Sequence, residues 1–234
     1  MLRWTYTGLQ PYDVMWRYQE GLRDQLLHGT GENLLVLTEH PPTISMGRAE
    51  KGANLLFDRA DLTAKGFDLV ETNRGGKVTY HGPGQLVAYP VIDLRTFRLG
   101  IKQYVCLLEK TMIETLASVG ITAHRQDSYP GAWVGKQKIG SVGIHVRKQI
   151  SIHGIALNVN TNLKHFDVIT PCGIPNIQMT SMEREGVELS VEQVCSLFVR
   201  SFSKIFACEL EPVLSPEIGS VFRSHRDSQP ALHV

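Results

Sequence analysis

The chain has 234 residues, of which 42% are hydrophobic and 20% are charged, a composition that fits a folded protein and excludes a disordered tail or a coiled coil. The formal net charge is only +1, yet eleven basic and four acidic residues give residues 74–148 a charge of +7. This basic segment suits an acidic protein or a phosphate-bearing carrier, or else it is a set of solvated surface charges. It does not form the dense basic stripe with interleaved aromatic residues that is typical of a nucleic-acid binder.

The apolar runs, such as Leu34–Leu37, are far too short to span a bilayer. The N-terminal residues lack the charged-then-apolar order of a secretory signal. We therefore expect a cytoplasmic protein without a membrane partner.

Apolar residues at three- and four-residue spacings predict helices at about residues 12–28 and 101–119, and a third helix from Ser190 onwards. Glycines follow the first two helices and act as stop signals. Ser190 and Gln193 form the capping-box pattern that begins a helix. A shorter helix is expected near residues 59–65.

Strand-like runs lie between the helices in groups and do not alternate strictly with them. This order predicts an α+β fold with a mixed, largely antiparallel sheet flanked by helices, and we expect the helices on one face. Residues 1–234 are expected to form a single domain, or one domain with a small C-terminal subdomain after Thr180. Residues 148–151 read as the turn of a hairpin. The predicted strands are residues 34–38, 68–72, 86–93, 132–134, 138–147 and 152–159.

The most unusual stretch is residues 74–85, which read Arg-Gly-Gly-Lys-Val-Thr-Tyr-His-Gly-Pro-Gly-Gln. Four glycines and a proline exclude a regular helix, and the spacing differs from that of a phosphate-binding Walker loop. Glycines allow a backbone to approach a ligand closely. The stretch is therefore either an ordinary connector or a binding segment, and its Arg74, Tyr80, His81 and Gln85 favour binding.

Three further segments contain candidate catalytic or binding residues. Lys138 begins a strand in which small residues follow. Alternation along residues 151–159 places Gly154 and Ala156 on one face. Such small side chains either allow tight packing or leave space for a bound ligand. Cys172 lies in a turn between Pro171 and Gly173, where it is either a structural cysteine or a nucleophile whose thiolate a nearby cation would favour.

The remaining cysteines, Cys106, Cys195 and Cys208, lie in or beside apolar-periodic segments and are expected to behave as small buried hydrophobes. Without a secretory signal, we expect no disulfide framework.

In order and spacing, these segments resemble the octanoyltransferases of lipoate biosynthesis, also called lipoyl(octanoyl) transferases, in the biotin/lipoate protein ligase-like superfamily. The resemblance covers residues 34–174. Its motifs are Arg-Gly-Gly-x-Val-Thr-Tyr-His-Gly-Pro-Gly-Gln, Lys-Ile-x-x-x-Gly, His-Gly-x-Ala-Leu-Asn-Val and Pro-Cys-Gly-Ile. One departure, Gly140-Ser141 after the Lys-Ile pair, keeps that wall small and bears only on the preferred acyl length.

The resemblance implies transfer of an octanoyl group from octanoyl-acyl carrier protein to a lysine of lipoyl domains, the first step of endogenous protein lipoylation. The implied acceptors belong to 2-oxoacid dehydrogenase complexes and the glycine cleavage carrier protein. Cys172 would form the acyl thioester and Lys138 would lower the pKa of its thiol. No ATP, cofactor, metal or nucleic acid is implied. The implied substrate-binding residues are Arg74, Gly75, Gly76, Lys77, Val78, Thr79, Tyr80, His81, Ser141, Val142, Gly143, Gly154, Ile155 and Ala156.

His81 has two candidate roles: it orients the thioester, or it lines the acyl tunnel. Three other functions also stay open: an ATP-dependent lipoate or biotin ligase, an amidotransferase between lipoyl domains, and a non-catalytic acyl- or carrier-binding protein. A zinc enzyme would require His81, His145, His153 and Cys172, whose spacing fits no standard zinc motif.

Overall fold

The computed structural model describes residues 2–50 and 52–213, and it confirms the α+β class. That part of the chain contains eleven strands and four helices. They are β1 (Leu2–Leu9), α1 (Tyr12–Leu27), β2 (Leu34–Glu39), β3 (Thr43–Met46), α2 (Arg59–Ala64), β4 (Asp68–Glu71), β5 (Val78–His81), β6 (Gln85–Val91), α3 (Ile101–Ala117), β7 (Gly131–Val134), β8 (Gln137–Arg147), β9 (Ile150–Asn158), β10 (Gln178–Met179), α4 (Val191–Phe206) and β11 (Leu210–Pro212).

The larger sheet has the strand order β10-β8-β9-β6-β2-β1-β11, with β7 added beside β8. Its central pairs, β2 with β6, β6 with β9, and β8 with β9, are antiparallel, whereas β1 pairs with β2 and β11 in parallel. The sheet is therefore mixed and largely antiparallel, as predicted. The predicted helices also occur, and Ser190 and Gln193 form the capping box of α4.

Helices cover both faces of this sheet, so the expectation that they lie on one face is wrong. Leu35 and Leu37 belong to the core cluster that contains α3 and α4. Leu34 and Val36, which point the other way along β2, pack in the cluster that contains α1. A run of apolar residues without alternation is typical of a strand that is buried on both faces.

A second, smaller sheet has the order β4-β3-β5, and it corrects the interpretation of the glycine-rich segment. Residues 78–81 of that segment form a buried strand, β5, which pairs antiparallel with β3. Val78, Thr79 and Tyr80 favour extended structure and prevail locally over the flanking glycines. The segment is thus a strand between two glycine-containing turns.

Within residues 2–50 and 52–213, no helix has the length and the apolar character that crossing a membrane requires. The C-terminal residues 219–234, which match no sequence pattern used above, lie outside the described residues.

Candidate active site

The β8–β9 hairpin forms one wall of the site. Lys148 and Gln149 both have positive φ values, 49° and 66°, and make the tight turn that joins the two strands. The predicted hairpin is therefore confirmed, with a shorter turn. Its register places Gly143 opposite Gly154 and Ser141 opposite Ala156. A Cβ at Gly154 would lie 2.0 Å from the backbone oxygen of Ala88, so glycine allows β6 to approach closely.

A cavity of about 530 Å³ lies between this hairpin and residues 74–81. Its volume is within the usual range for small-molecule sites. Most of the residues that the sequence predicts for substrate binding line the cavity. They are Arg74, Gly75, Gly76, Lys77, Val78, Thr79, His81, Ser141, Val142, Gly143, Gly154, Ile155 and Ala156.

Tyr80 is the exception, because it is not part of the cavity lining. Its ring packs edge-on against Phe67 and Phe166, and its hydroxyl lies 2.7 Å from His165 Nδ1. Neighbouring residues of a strand point to opposite faces, so Thr79 and His81 reach the cavity while Tyr80 supports the strand from behind.

Sequence reasoning missed several lining residues, most of which lie outside its motifs, although His153 and Gly173 lie inside them. The alternation of β6 identifies Val87 and Tyr89 once the position of that strand is known, whereas Tyr12 at the start of α1 gives no local signal. The missed residues are Tyr12, Val87, Tyr89, Val105, Ser128, Tyr129, Pro130, Ile144, His153 and Gly173.

Cys172 occupies a single helical turn, Pro171–Gly173, at the cavity wall. The amide of Gly173 donates to Thr170 O at 2.9 Å, and the amide of Thr170 donates to Asn54 O at 2.8 Å. Cys172 itself has a φ of 57°, an uncommon conformation for a residue with a side chain. Such conformations concentrate at functional sites, where the surrounding structure enforces them.

The fold brings Lys138 to this cysteine although 34 residues separate them in the chain. Lys138 Nζ donates a hydrogen bond to Cys172 Sγ at 3.4 Å, and the lysine is only 2% exposed. The Nζ atom also lies 5.3 Å from the centre of the Trp133 ring, a cation–π contact. An ammonium group beside a sulfur favours the thiolate over the thiol.

Both ring nitrogens of His81 are engaged by the protein. Nδ1 lies 2.8 Å from Gln85 Oε1, which only accepts, so Nδ1 donates and Nε2 accepts from Ser45 Oγ at 3.0 Å. Burial lowers the pKa of His81 well below its usual value of 6.5, and the nearby His40 lowers it further. His81 is therefore a neutral lining residue of the cavity whose nitrogens are both occupied.

The hydrogen bonds continue from His81 into a buried polar network, which comprises Tyr12, His40, Arg74, His81 and Tyr89. Arg74 donates from Nε and Nη2 to Ser45 Oγ at 3.2 and 2.9 Å. His40 Nδ1 donates to Gln10 O, and His40 Nε2 accepts from the Tyr89 hydroxyl, both at 2.7 Å. Burial lowers the pKa of His40 to about 4 and raises the pKa values of Tyr12 and Tyr89. The network is neutral apart from Arg74.

Among residues 2–50 and 52–213, no group of three or more His, Cys, Asp or Glu side chains is placed to hold a metal ion. All four cysteines are free thiols, but only Cys195 is buried. Cys106 and Cys208 are half-buried, so the expectation that they are buried hydrophobes is wrong for these two.

The chain was compared with known proteins. Residues 11–203 match the model of the lipoyl protein ligase A/B catalytic domain. An octanoyltransferase of Maridesulfovibrio salexigens is 42% identical, over 85% of this chain and 94% of that protein. One of Caldicellulosiruptor saccharolyticus is 38% identical, over 93% of this chain and 94% of that protein.

Among solved structures, lipoate-protein ligase A bound with ATP matches with a TM-score of 0.76 at 17% identity, covering 97% of this chain and 94% of that one. A lipoate protein ligase of T. acidophilum with bound lipoic acid matches with a TM-score of 0.71 at 16% identity, over 96% and 94% of the two chains. These two likenesses establish the ligase-type fold, and the sequence matches establish the family. The chain belongs to the octanoyltransferases of the lipoyl protein ligase A/B catalytic-domain family.

Proposed function

We propose that this chain transfers an octanoyl group from octanoyl-acyl carrier protein to a lysine of a lipoyl domain, through a thioester on Cys172 and without ATP. The observation that supports this mechanism best is the hydrogen bond from Lys138 Nζ to Cys172 Sγ, at 3.4 Å, beside a cavity of about 530 Å³. A nucleophile and a proton-carrying partner within hydrogen-bond reach are the usual signature of covalent catalysis.

In the first half-reaction the Cys172 thiolate attacks the thioester carbonyl of the donor. The bond from the carbonyl carbon to Cys172 Sγ forms, and the bond to the carrier sulfur breaks. The Lys138 ammonium then gives its proton to the departing carrier thiolate. The products are an octanoyl thioester on Cys172, a free carrier thiol and a neutral Lys138.

In the second half-reaction the neutral amine of the acceptor lysine attacks this thioester. An amide bond forms, and Cys172 leaves as a thiolate. The neutral Lys138 takes the proton that the attacking nitrogen loses, which restores the starting pair. Since the energy of the donor thioester is retained on Cys172, the cycle consumes no nucleotide and follows ping-pong kinetics.

The cavity suits the alkyl part of this substrate. Its hairpin wall includes the small or apolar residues Val142, Gly143, Ile144, Gly154, Ile155 and Ala156. Each methylene that moves from water into such a wall contributes about 0.8 kcal/mol to binding. The basic residues 74–148 supply charge that complements an acidic carrier domain.

The same proposal treats residues 1–234 as one catalytic domain. The family model spans residues 11–203, which include the smaller sheet, the larger sheet except β1 and β11, and the four helices except the last residues of α4. The proposed acceptors are the lipoyl domains of 2-oxoacid dehydrogenase complexes and of the glycine cleavage system. A cytoplasmic location stays a prediction.

A test separates this proposal from an ATP-dependent ligase on the same fold. The purified chain is incubated with a lipoyl domain and either octanoyl-acyl carrier protein alone or free octanoate with ATP and Mg²⁺. The proposal predicts a gain of one octanoyl group on the lipoyl domain with the first mixture and none with the second. The reverse pattern would establish the ligase, and activity with an octanoylated lipoyl domain as the only donor would establish an amidotransferase.

A further inference from the structure

A buried carboxylate on α3 accepts a hydrogen bond from the first residue of β7, the strand that pairs beside the reactive lysine, without taking part in the proposed chemistry. Glu109 is 1% exposed and lies between the core residues Leu108 and Met112 of the same helix. Its Oε2 accepts a hydrogen bond from Arg125 Nε at 2.6 Å, and its Oε1 accepts one from the amide of Gly131 at 2.9 Å. Burying a carboxylate costs free energy unless hydrogen-bonding or charged partners compensate it, and the amide of Gly131 is one of the two partners here.

Gly131 is the first residue of β7, and it touches the stem of Lys138. Its φ of +148° lies in a region that side chains rarely adopt. A Cβ at this position would lie 2.7 Å from Lys138 Cε and 2.3 Å from Gly140 O. The bare Cα of Gly131 therefore packs directly against the lysine side chain.

The rest of β7 continues this contact. Trp133 lies opposite Lys138 in the β7–β8 register, after an irregularity at Ala132–Trp133, and its ring faces the ammonium group. The strand is short, and within the described residues it is joined to α3 by the hydrogen bond that the amide of its first residue, Gly131, donates to Glu109. Because lysine has a flexible four-carbon stem, the position of Nζ depends on what packs along that stem.

We propose that Glu109 is a positioning residue, which holds Gly131 and the start of β7 against Lys138 and thereby keeps the Lys138 ammonium on Cys172 Sγ. This inference rests on the proposed function, since it concerns the same lysine–cysteine pair. Glu109 touches neither reacting atom. It acts through the amide of Gly131, and an acceptor atom at this place matters more than the negative charge.

The test follows the pH dependence of Cys172 alkylation by iodoacetamide, read by intact mass and peptide mapping. In Glu109→Ala the amide of Gly131 loses its acceptor, so we expect the midpoint of the profile to rise by about one pH unit. Alkylation at neutral pH then slows about tenfold. Glu109→Gln keeps an acceptor oxygen for Gly131, and its rate stays within about twofold of the unmodified chain.

Two further variants separate a loss of Lys138 positioning from a general loosening of the core. Leu116→Ala loosens the core on the same helix without touching Gly131, and its midpoint is expected to match that of the unmodified chain. Gly131→Ala drives a Cβ into Lys138 Cε and is expected to raise the midpoint even if Glu109→Ala does not fold.

Coincident midpoints for Glu109→Ala and the unmodified chain, or an equal shift in Leu116→Ala, would overturn the inference. So would an unshifted Gly131→Ala if Glu109→Ala cannot be purified. Lys138→Met separates this failure from a failure of the proposed function. If Lys138→Met leaves the midpoint unchanged, the lysine–cysteine pair itself is wrong. If it shifts the midpoint and Glu109→Ala does not, only the positioning role is wrong.

Discussion

The cavity wall has two polar regions that differ in how firmly the protein holds them. At the lysine–cysteine pair, a single hydrogen bond of 3.4 Å joins Lys138 Nζ to Cys172 Sγ. In the buried polar network, His40 and His81 each use both ring nitrogens, and Arg74 donates several hydrogen bonds to Ser45.

This difference indicates two tasks. Groups whose donors and acceptors are already satisfied shape a cavity but exchange no protons with a ligand. A cation and a sulfur whose side chains, among the described residues, hydrogen-bond with each other alone remain available to a substrate. We therefore assign shape and stability to the network and proton transfer to the pair.

The largest expected effect comes from removing the ammonium group of the pair. Lys138→Met keeps much of the buried stem, so the fold survives while the proton carrier is lost. We expect the rate of octanoyl transfer to fall by about 10²- to 10⁴-fold, the usual contribution of a general acid–base group. Steady-state transfer to a lipoyl domain measures it.

Lys136→Met is the matched control, because Lys136 is exposed and lies in the turn between β7 and β8, two residues before Lys138. Its transfer rate should stay close to that of the unmodified chain. An equal loss in both variants would mean that the basic surface, and not the buried ammonium, governs the rate.

A smaller effect is expected where the cavity is shaped. Ala156 is buried and lines the cavity on β9, so Ala156→Leu fills space that the alkyl chain would occupy. We expect selectivity for an octanoyl over a butanoyl donor to fall by about tenfold or more, since one or two methylenes in an apolar pocket are discriminated on that scale.

The same protein with butanoyl-acyl carrier protein is the internal control, since its activity reports whether the pair still works. An undiminished preference for octanoyl would show that the alkyl chain lies elsewhere.

The smallest effect concerns the stability of the network. In the folded chain the pKa of His40 is lowered to about 4, from the usual 6.5, so the unfolded chain binds more protons between these values. Stability is therefore full above pH 6.5 and falls as the pH drops towards 4. At pH 5.5 the loss from one such histidine is about 1.4 kcal/mol.

His40→Gln retains a donor and an acceptor but no titrating group, and it should reduce the difference in unfolding free energy between pH 7 and 5.5 by that amount. Urea unfolding at the two pH values measures this, with His28→Gln as the control because His28 is exposed. Equal pH differences in the unmodified chain and in His40→Gln would contradict a neutral, buried His40.

Much of this fold can be predicted from the sequence because helical periodicity is local. The four helices and the β8–β9 hairpin all follow from spacing, capping and turn residues. The strands β1, β3, β5, β10 and β11 were missed. Two prolines precede β3 and two glycines precede β5, so their neighbours read as turns. The buried run Leu34–Leu37 carried the signal that the sheet is covered on both faces, but its length alone does not separate strand from helix.

The site was predictable only in part. Residues 74–81 and the hairpin glycines form recognisable motifs, whereas Tyr12 and Tyr89 reach the cavity through pairings that only the folded sheet defines. No local pattern brings Lys138 to Cys172, since that contact depends on how β8 and the Pro171–Gly173 turn meet in space. In the sequence, the family resemblance and not periodicity indicates this pair.

The central claim is that Cys172 carries the acyl group. Intact mass spectrometry after incubation with octanoyl-acyl carrier protein, without ATP or a lipoyl domain, tests it most directly. We predict one octanoyl group on the unmodified chain, removable by hydroxylamine, mapped to Cys172, absent from Cys172→Ala, and lost when a lipoyl domain is added. An unmodified chain that transfers octanoyl groups without a detectable adduct, or a fully active Cys172→Ala, would contradict the thioester mechanism.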